Sequence, residues 1–307
     1  MNPERIAIIM HSVACIGVAT LDYIAVSREP LLPDGRIVAE EILEAGGGNA
    51  ATAAVALVRL GIAVDFIGSI GDDPVGATIH HSLTAEGVRT AGLRRVPGGR
   101  SPASVIVVNP ATAQRSIVTL PAVGTDLHIS ADDLRACARA AWIHVDYAGH
   151  KAIPQLRQAG ITTPISLDAG NHVPDLNLSE ITLYAPTKAA LLRTMHTDEV
   201  EDAIRLALAA GPRIVAVTMG EQGSLAGVRE ESGEVRLFSA PSFPVPRMGS
   251  TLGAGDVFHG ALVAGLVHGL AIEPALRQAN LVASLACRGI DGRSAIPSLA
   301  ELMTPLR

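Results

Sequence analysis

"STLGAGDVFHGALVAGL", residues 250–266, sets one carboxylate, Asp256, directly behind a Gly-Ala-Gly turn and directly ahead of an apolar run. The apolar positions predict a helix from about Asp256 to His268, stopped at Gly269. The first N–H groups of a helix lack partners within it, and the helix dipole makes that end positive, so it forms an anion site. Gly253, Ala254 and Gly255 keep bulky side chains away from an approaching phosphate. An N-cap role accounts for Asp256 by itself, but a cap needs no flanking glycines. A base beside an anion cradle suits phosphoryl transfer to a hydroxyl. The amides hold charge on the moving group while Asp256 accepts the hydroxyl proton.

Upstream of this stretch, apolar runs at 13–18, 63–71, 140–146, 163–170, 181–186 and 213–220 alternate with helical segments such as 50–61 and 72–87. Asp73 before Pro74 reads as an N-cap followed by the first helical position. The alternation predicts an α/β fold, a mostly parallel sheet with helices on both faces. The runs 103–109 and 115–120 read as a hairpin. Segments of about 22–45 and 92–120 interrupt the pattern with short extended runs. They are expected to form a small β-sheet, a lid inserted into a single domain spanning 1–307.

Composition narrows the function classes. The chain has 307 residues, 48% hydrophobic and 18% charged, which suits one large α/β domain with a sizeable core. A net charge of -6 and 3% aromatic residues argue against a nucleic-acid partner. Cys15, Cys137 and Cys287 are scattered and lack metal-ligand spacing, which predicts no zinc site, no disulfide frame and a reducing, cytoplasmic setting. The N-terminal "MNPERIAIIMHSVACIGV" lacks a signal-peptide layout, and no apolar run reaches about 18 residues, so no membrane partner is expected. Among 24 Lys and Arg residues, Lys151 and Lys188 are the two lysines, and no GxxxxGK[ST] exists. Phosphate chemistry here must use backbone amides, arginine or a metal ion.

Other motifs carry less. "AGGGNAA" (45–51) fits G-x-G-x-x-A before a helix, but the glutamate-rich run ahead of it suits an exposed strand, which disfavours a nicotinamide-dependent oxidoreductase. Its three glycines read as a bare backbone surface for a polar ligand, or as a tight turn. "GDD" (71–73) reads as capping, and His80 and His81 as surface residues of a helix. His144, Asp146 and His150 follow a strand and either line a cleft or serve the structure.

Together "TLGAGDVF" (251–258), "GGNAATAAVALVRLG" (47–61) and "IGSIGDDPVG" (67–76) resemble the signatures of the ribokinase, or PfkB, carbohydrate kinases. Within that family the wording, including "DGRSAIP", is nearest to the sulfofructose kinase branch and next to the ketohexokinase branch. The resemblance covers about Val13 to Pro297 and implies a three-layer α/β/α sandwich with a β lid, with ATP and Mg²⁺ as cosubstrates. It implies Asp256 as base and Gly253, Ala254 and Gly255 as the anion hole. Asp22, Gly47, Gly48 and Asn49 fall on the sugar-facing positions, and Thr218, Gly220, Gly223 and Asn280 on the nucleotide side. A sulfosugar would need a cation near the lid, for which Arg36 and Arg115 are candidates.

Three departures stand out. Ser250 replaces the Asp that usually opens D-T-x-G-A-G-D, which puts a monovalent-cation site in doubt. "APTKAALL" (185–192) lacks the family's Asn-x-x-Glu, and Thr52 replaces an Asn. The expected activity is ATP-dependent phosphorylation of a primary hydroxyl of a small sugar. A nucleoside kinase and a catalytically silent binding member are the alternatives. The first would want aromatics over the base, and few exist. The lid is a candidate surface for pairing two copies.

Overall fold

A computed structural model describes residues 12–30, 32–170, 173 and 176–303. The first eleven residues, where the absence of a leader was expected, lie outside these. The chain opens with β1 (Ser12–Ile16), β2 (Thr20–Val26), β3 (Glu41–Gly47), α1 (Asn49–Arg59), β4 (Ala63–Gly71) and α2 (Pro74–Ala85). It continues through β5 (Arg89–Val96), β6 (Ala103–Asn109), β7 (Gln114–Leu120), α3 (Ala131–Arg139), β8 (Trp142–Val145) and α4 (Ile153–Gln158). Next come β9 (Ile165–Ala169), β10 (Leu183–Pro186), α5 (Lys188–Met195), α6 (Val200–Ala209) and β11 (Ile214–Thr218). The hairpin β12 (Ser224–Arg229) and β13 (Val235–Ala240) leads into α7 (Ala254–Val267), α8 (Ile272–Ala286) and α9 (Leu299–Met303).

A nine-stranded sheet runs in the order β13-β12-β11-β10-β9-β8-β1-β4-β5. It is parallel from β11 to β5, and β12 and β13 extend it antiparallel. Successive strand residues point to opposite faces, and the two hydrophobic cores follow that period. Val13 and Cys15 of β1 join one core with α1, α2, α7 and α8. Ala14 and Ile16 join the other with α3, α4, α5 and α6. This is the three-layer sandwich expected from the alternation. At roughly 25 cal/mol per Å² of apolar surface, burial of this kind is the main source of its stability. Cys15, Cys137 and Cys287 are free and buried. Among the described residues no helix is long and apolar enough to cross a membrane.

A second sheet, in the order β3-β2-β6-β7, stands apart as the lid. The expected lid segment 92–120 needs correction at its start: residues 92–96 belong to β5, which pairs parallel with β4 in the main sheet. β5 is an edge strand with one face in water, so its polar alternation resembles that of a lid strand. The hairpin 103–109 with 115–120 forms as β6 and β7, in register from Ala103–Leu120 to Asn109–Gln114. The lid's inner face packs Ile24, Ile106 and Val108 against Leu252 and Ile290, beside the stretch that opens α7.

Candidate active site

From β1 the chain moves outward to β4 and β5, then returns to β8 on the other side of β1. The carboxyl ends of β1 and β8 therefore flank the point where the strand order reverses, where open α/β sheets bind ligands. Asp146, just past β8, fills the base of that crevice and is fully buried. Its carboxylate accepts N–H bonds from Val18 (2.8 Å), Ala50 (3.3 Å), Ala148 (2.9 Å) and Gly149 (2.8 Å). These bonds pin the entry to the lid and the start of α1 to the sheet. Burial pushes its proton affinity up, and the backbone donors oppose that. Of the two readings open for Asp146, the structural one describes these contacts.

Above it stands the N-terminus of α7. Gly253 is its N-cap in the left-handed region, φ 70°, which glycine adopts without the Cβ penalty, and no side chain caps the helix. The Ala254 N–H reaches the Thr251 carbonyl at 3.3 Å, so the N–H groups just after it are the better-placed donors for an anion. A Cβ at Gly255 would meet nothing within 4 Å, so there is open space at the place a phosphate would approach. Asp256 follows, partly open to the cleft but otherwise closely surrounded. The Asn49 Nδ2 donates to its Oδ1 at 2.7 Å, joining α1 to α7. Its pKa is raised to about 7, chiefly by desolvation and then by the Asp168 carboxylate; His259 and Asn49 oppose this. Such a carboxyl can take up a proton near neutral pH.

The lid and the glycine turn meet beside this group. Asp22 of β2 is buried and accepts the Thr20 hydroxyl at 3.1 Å. Burial raises its pKa, with Thr20, Ser104 and the Arg293 guanidinium opposing. A Cβ at Gly47 would collide with the Asp22 carboxylate and the Thr20 hydroxyl, which explains a glycine there. Gly48 is the N-cap of α1 at φ 91°, and turns the chain into that helix. Arg293 lies on the other side of the turn, 5% exposed. It donates to the Gly47 carbonyl (2.6 Å) and the Thr52 hydroxyl (3.2 Å). Burial lowers its pKa to about 10, still far above neutrality, and Asp22 and Asp256 are among the carboxylates that hold its charge. Thr52, the departure in the N-terminal signature, thus receives an arginine.

Arg115 on β7 donates to the Thr251 hydroxyl at 2.7 Å, joining the lid to the loop that opens α7. A groove of about 640 Å³ lies here, with Val107, Asn109, Arg115, Ser116 and Thr251 among its walls. Arg36 is exposed on the connection between β2 and β3, and no contact among the described residues joins it to the site. Thr218 ends β11 on the same carboxyl edge, paired with Thr187 past β10. Gly220 (φ 59°) and Gly223 (φ 85°) bracket the short turn that follows. Asn280 is buried, and its Nδ2 donates to the Ser224 hydroxyl and the Ala240 and Pro241 carbonyls. It therefore braces the ends of β12 and β13, and its amide hydrogens are engaged within the protein.

In place of Asn-x-x-Glu, Thr187 caps α5 by accepting the Ala190 N–H (3.2 Å) and donates to the Gly170 carbonyl (3.0 Å). Ser250 is fully buried, and its hydroxyl accepts the Leu252 N–H at 3.0 Å. Among the described residues no cluster of three His, Cys, Asp or Glu could hold a metal ion. A magnesium ion at this site would be carried mainly by phosphates and water, as Mg²⁺ commonly is. Three residues of the site were not foreseen: Arg293, Asp168 and His259. For His259 a signal existed, since three residues past Asp256 lies on the same face of a helix. Arg293 lies in "DGRSAIP", which entered the resemblance without a role, and Asp168 comes from a distant segment and carried no signal.

A model of the pfkB family carbohydrate kinases matches residues 10–299. The chain is 28% identical to a ribokinase of Bacillus subtilis, over 95% of this chain and 98% of that one. It is also 28% identical to a fructokinase of Klebsiella pneumoniae, over 90% and 95% of the two chains. Its fold superposes with a TM-score of 0.78 on the Arabidopsis thaliana ribokinase complexed with ribose and ATP, at 23% identity over 95% and 97%.

Proposed function

Given that the chain belongs to the pfkB family of carbohydrate kinases, we propose that it phosphorylates a primary hydroxyl of a small sugar, with Asp256 as the general base. The observation that carries this is Asp256 itself: a carboxylate with raised proton affinity, held by Asn49 on the first turn of an uncapped helix. ATP would supply the transferable phosphoryl group and, with Mg²⁺ on its phosphates, the counter-charge for it. The residues of this chain do the rest. Asp22 and the turn Gly47–Gly48 hold acceptor hydroxyls, Arg293 stiffens that turn, and Asn49 fixes the Asp256 carboxylate towards the acceptor. The Gly253–Gly255 backbone offers donors where negative charge develops. Thr218, Gly220 and Gly223 form the nucleotide-side edge, and the lid excludes water over the acceptor.

The acceptor is read as a pentose or ketohexose. Arg115, tied to Thr251 beside the anion cradle, favours a second reading in which the acceptor carries an anionic group such as a sulfonate. The outer lid face leaves Val105 and Val118 54% and 72% exposed, which suits pairing of two copies through the lid. Light scattering of the wild type and Val118→Asp tests that pairing; a monomer in both cases removes it. ADP release measured with ATP against ribose, deoxyribose, fructose, sulfofructose and adenosine tests the activity. Turnover with a sugar is expected. Preference for adenosine would make the protein a nucleoside kinase, and no turnover with any acceptor would make it a binding protein.

A further inference from the structure

Four buried side-chain atoms lack a hydrogen-bond partner among the described residues: His144 Nε2, Asp168 Oδ2, and His259 Nδ1 and Nε2. All belong to one cluster beneath the anion cradle. His259 lies on α7, one turn past Asp256, and Asp168 near the end of β9. His259 Nδ1 stands 2.8 Å from Asp168 Oδ2, close enough for an ion pair but outside in-line hydrogen-bond geometry. The His144 ring, from β8, is 6.4 Å from that of His259, and its Nδ1 lies 2.9 Å from the Ser166 hydroxyl. Buried polar groups are normally satisfied, and leaving one without a partner is destabilising. A core built for stability alone would fill this space with apolar side chains. His259 Nδ1 and Asp168 Oδ2 face each other as an ion pair, which leaves His259 Nε2 and His144 Nε2 as the buried nitrogens without a partner. An ion pair and two such nitrogens behind the base call for a functional reason.

We propose that His259 is the counter-charge of the buried Asp168: its imidazolium cancels the carboxylate that would otherwise oppose ionisation of Asp256, and so keeps Asp256 able to accept the sugar proton. The proposal rests on the reading of Asp256 as base, and both residues act through Asp256, not on the substrate. The charged and titratable groups facing the pair are His144 of β8 and Asp256 on α7 itself, and Asp256 in turn feels Asp146, just past β8, and Arg293 from the segment after α8. Asp168 holds the His259 proton above the ordinary imidazole range against the opposing effect of burial. Burial pushes His144 down to about 4, so it stays neutral beside the imidazolium. His259, lost alone, would leave the buried Asp168 carboxylate without its cation one helical turn from Asp256.

The test is the pH dependence of kcat/KM for the sugar in the wild type, His259→Gln, Asp168→Asn and the double variant. His259→Gln is expected to move the acid limb up by about one to two pH units, the size of a nearby uncompensated charge. Turnover at about pH 6 then falls at least ~10-fold while the alkaline plateau survives. The double variant removes both charges and returns the limb to the wild-type position. An unmoved limb in His259→Gln, or a double variant that stays displaced, overturns the proposal. If His259→Gln does not fold, the double variant, which buries no unpaired charge, still folds. ¹⁵N-histidine spectra of the wild type then decide: His259 doubly protonated at neutral pH is expected, and a neutral ring overturns the idea. Should Asp256→Asn keep near-normal turnover, the base reading itself falls. An inactive Asp256→Asn beside an unshifted His259→Gln removes the pair's role alone.

Discussion

The Asn49 amide and the Asp256 carboxylate, 207 residues apart in sequence, meet at 2.7 Å where α1 and α7 begin. In the proposed reading one helix start carries the acceptor-facing turn and the other the base, so this bond would fix the two halves of the site against each other. A donor to a carboxylate is worth about 1.5–3 kcal/mol, and it favours the ionised form. Asn49→Ala should therefore cut kcat about tenfold or more and raise the acid limb of the pH profile. An unchanged profile would show that Asp256 is oriented by other means.

Asp256→Asn should keep nucleotide binding and lose at least ~10²-fold in kcat. It should also be the more stable protein in alkaline solution. The folded pKa of about 7 exceeds the ordinary carboxylate value of 3.8, so the fold favours the protonated acid. The cost of ionising is absent below about pH 4, grows as pH rises and is complete above about 7. By linkage it reaches on the order of 2–4 kcal/mol. Thermal unfolding at about pH 8 and pH 4 checks this: a gain for the variant at the higher pH and none at the lower.

Gly255→Val should fold normally, since its Cβ enters open space in the protein alone. A branched side chain there crowds the anion approach, so turnover should fall sharply while the melting temperature barely changes. Normal turnover would remove this backbone from the reaction.

Asp22→Ala should raise KM for the sugar at least ~10-fold while leaving KM for ATP near its original value, given the usual worth of hydrogen bonds to a charged group. Equal rises in both would make Asp22 structural. Arg115→Leu separates the two acceptor readings. It should impair an anionic hexose and spare fructose, and a common loss would make Arg115 a lid latch only.

Asp146→Ala should be among the more destabilising single changes in the chain. It leaves the N–H groups of Val18, Ala50, Ala148 and Gly149 without their acceptor. At ~1–3 kcal/mol per buried unsatisfied donor, a loss of at least ~3 kcal/mol is expected from denaturant unfolding. An unmoved midpoint would mean that the crevice is braced elsewhere.

What the sequence determined by itself was local in origin. The switch between apolar runs and helical segments encodes the layered α/β architecture, because each strand and helix must present an apolar face at its own period. The helix start at 253–256 was equally legible, since a glycine turn, an acidic residue and an apolar helix are adjacent in the chain. Only the tertiary structure placed residues 92–96 in the main sheet, because an edge strand and a lid strand show the same alternation to water. Only it brought Arg293 under the glycine turn and Asp168 against His259, one turn past Asp256, and showed the Asn280 amide engaged by β12 and β13. Burial and charge at these positions come from neighbours distant in sequence, and no period or spacing along the chain carries that information.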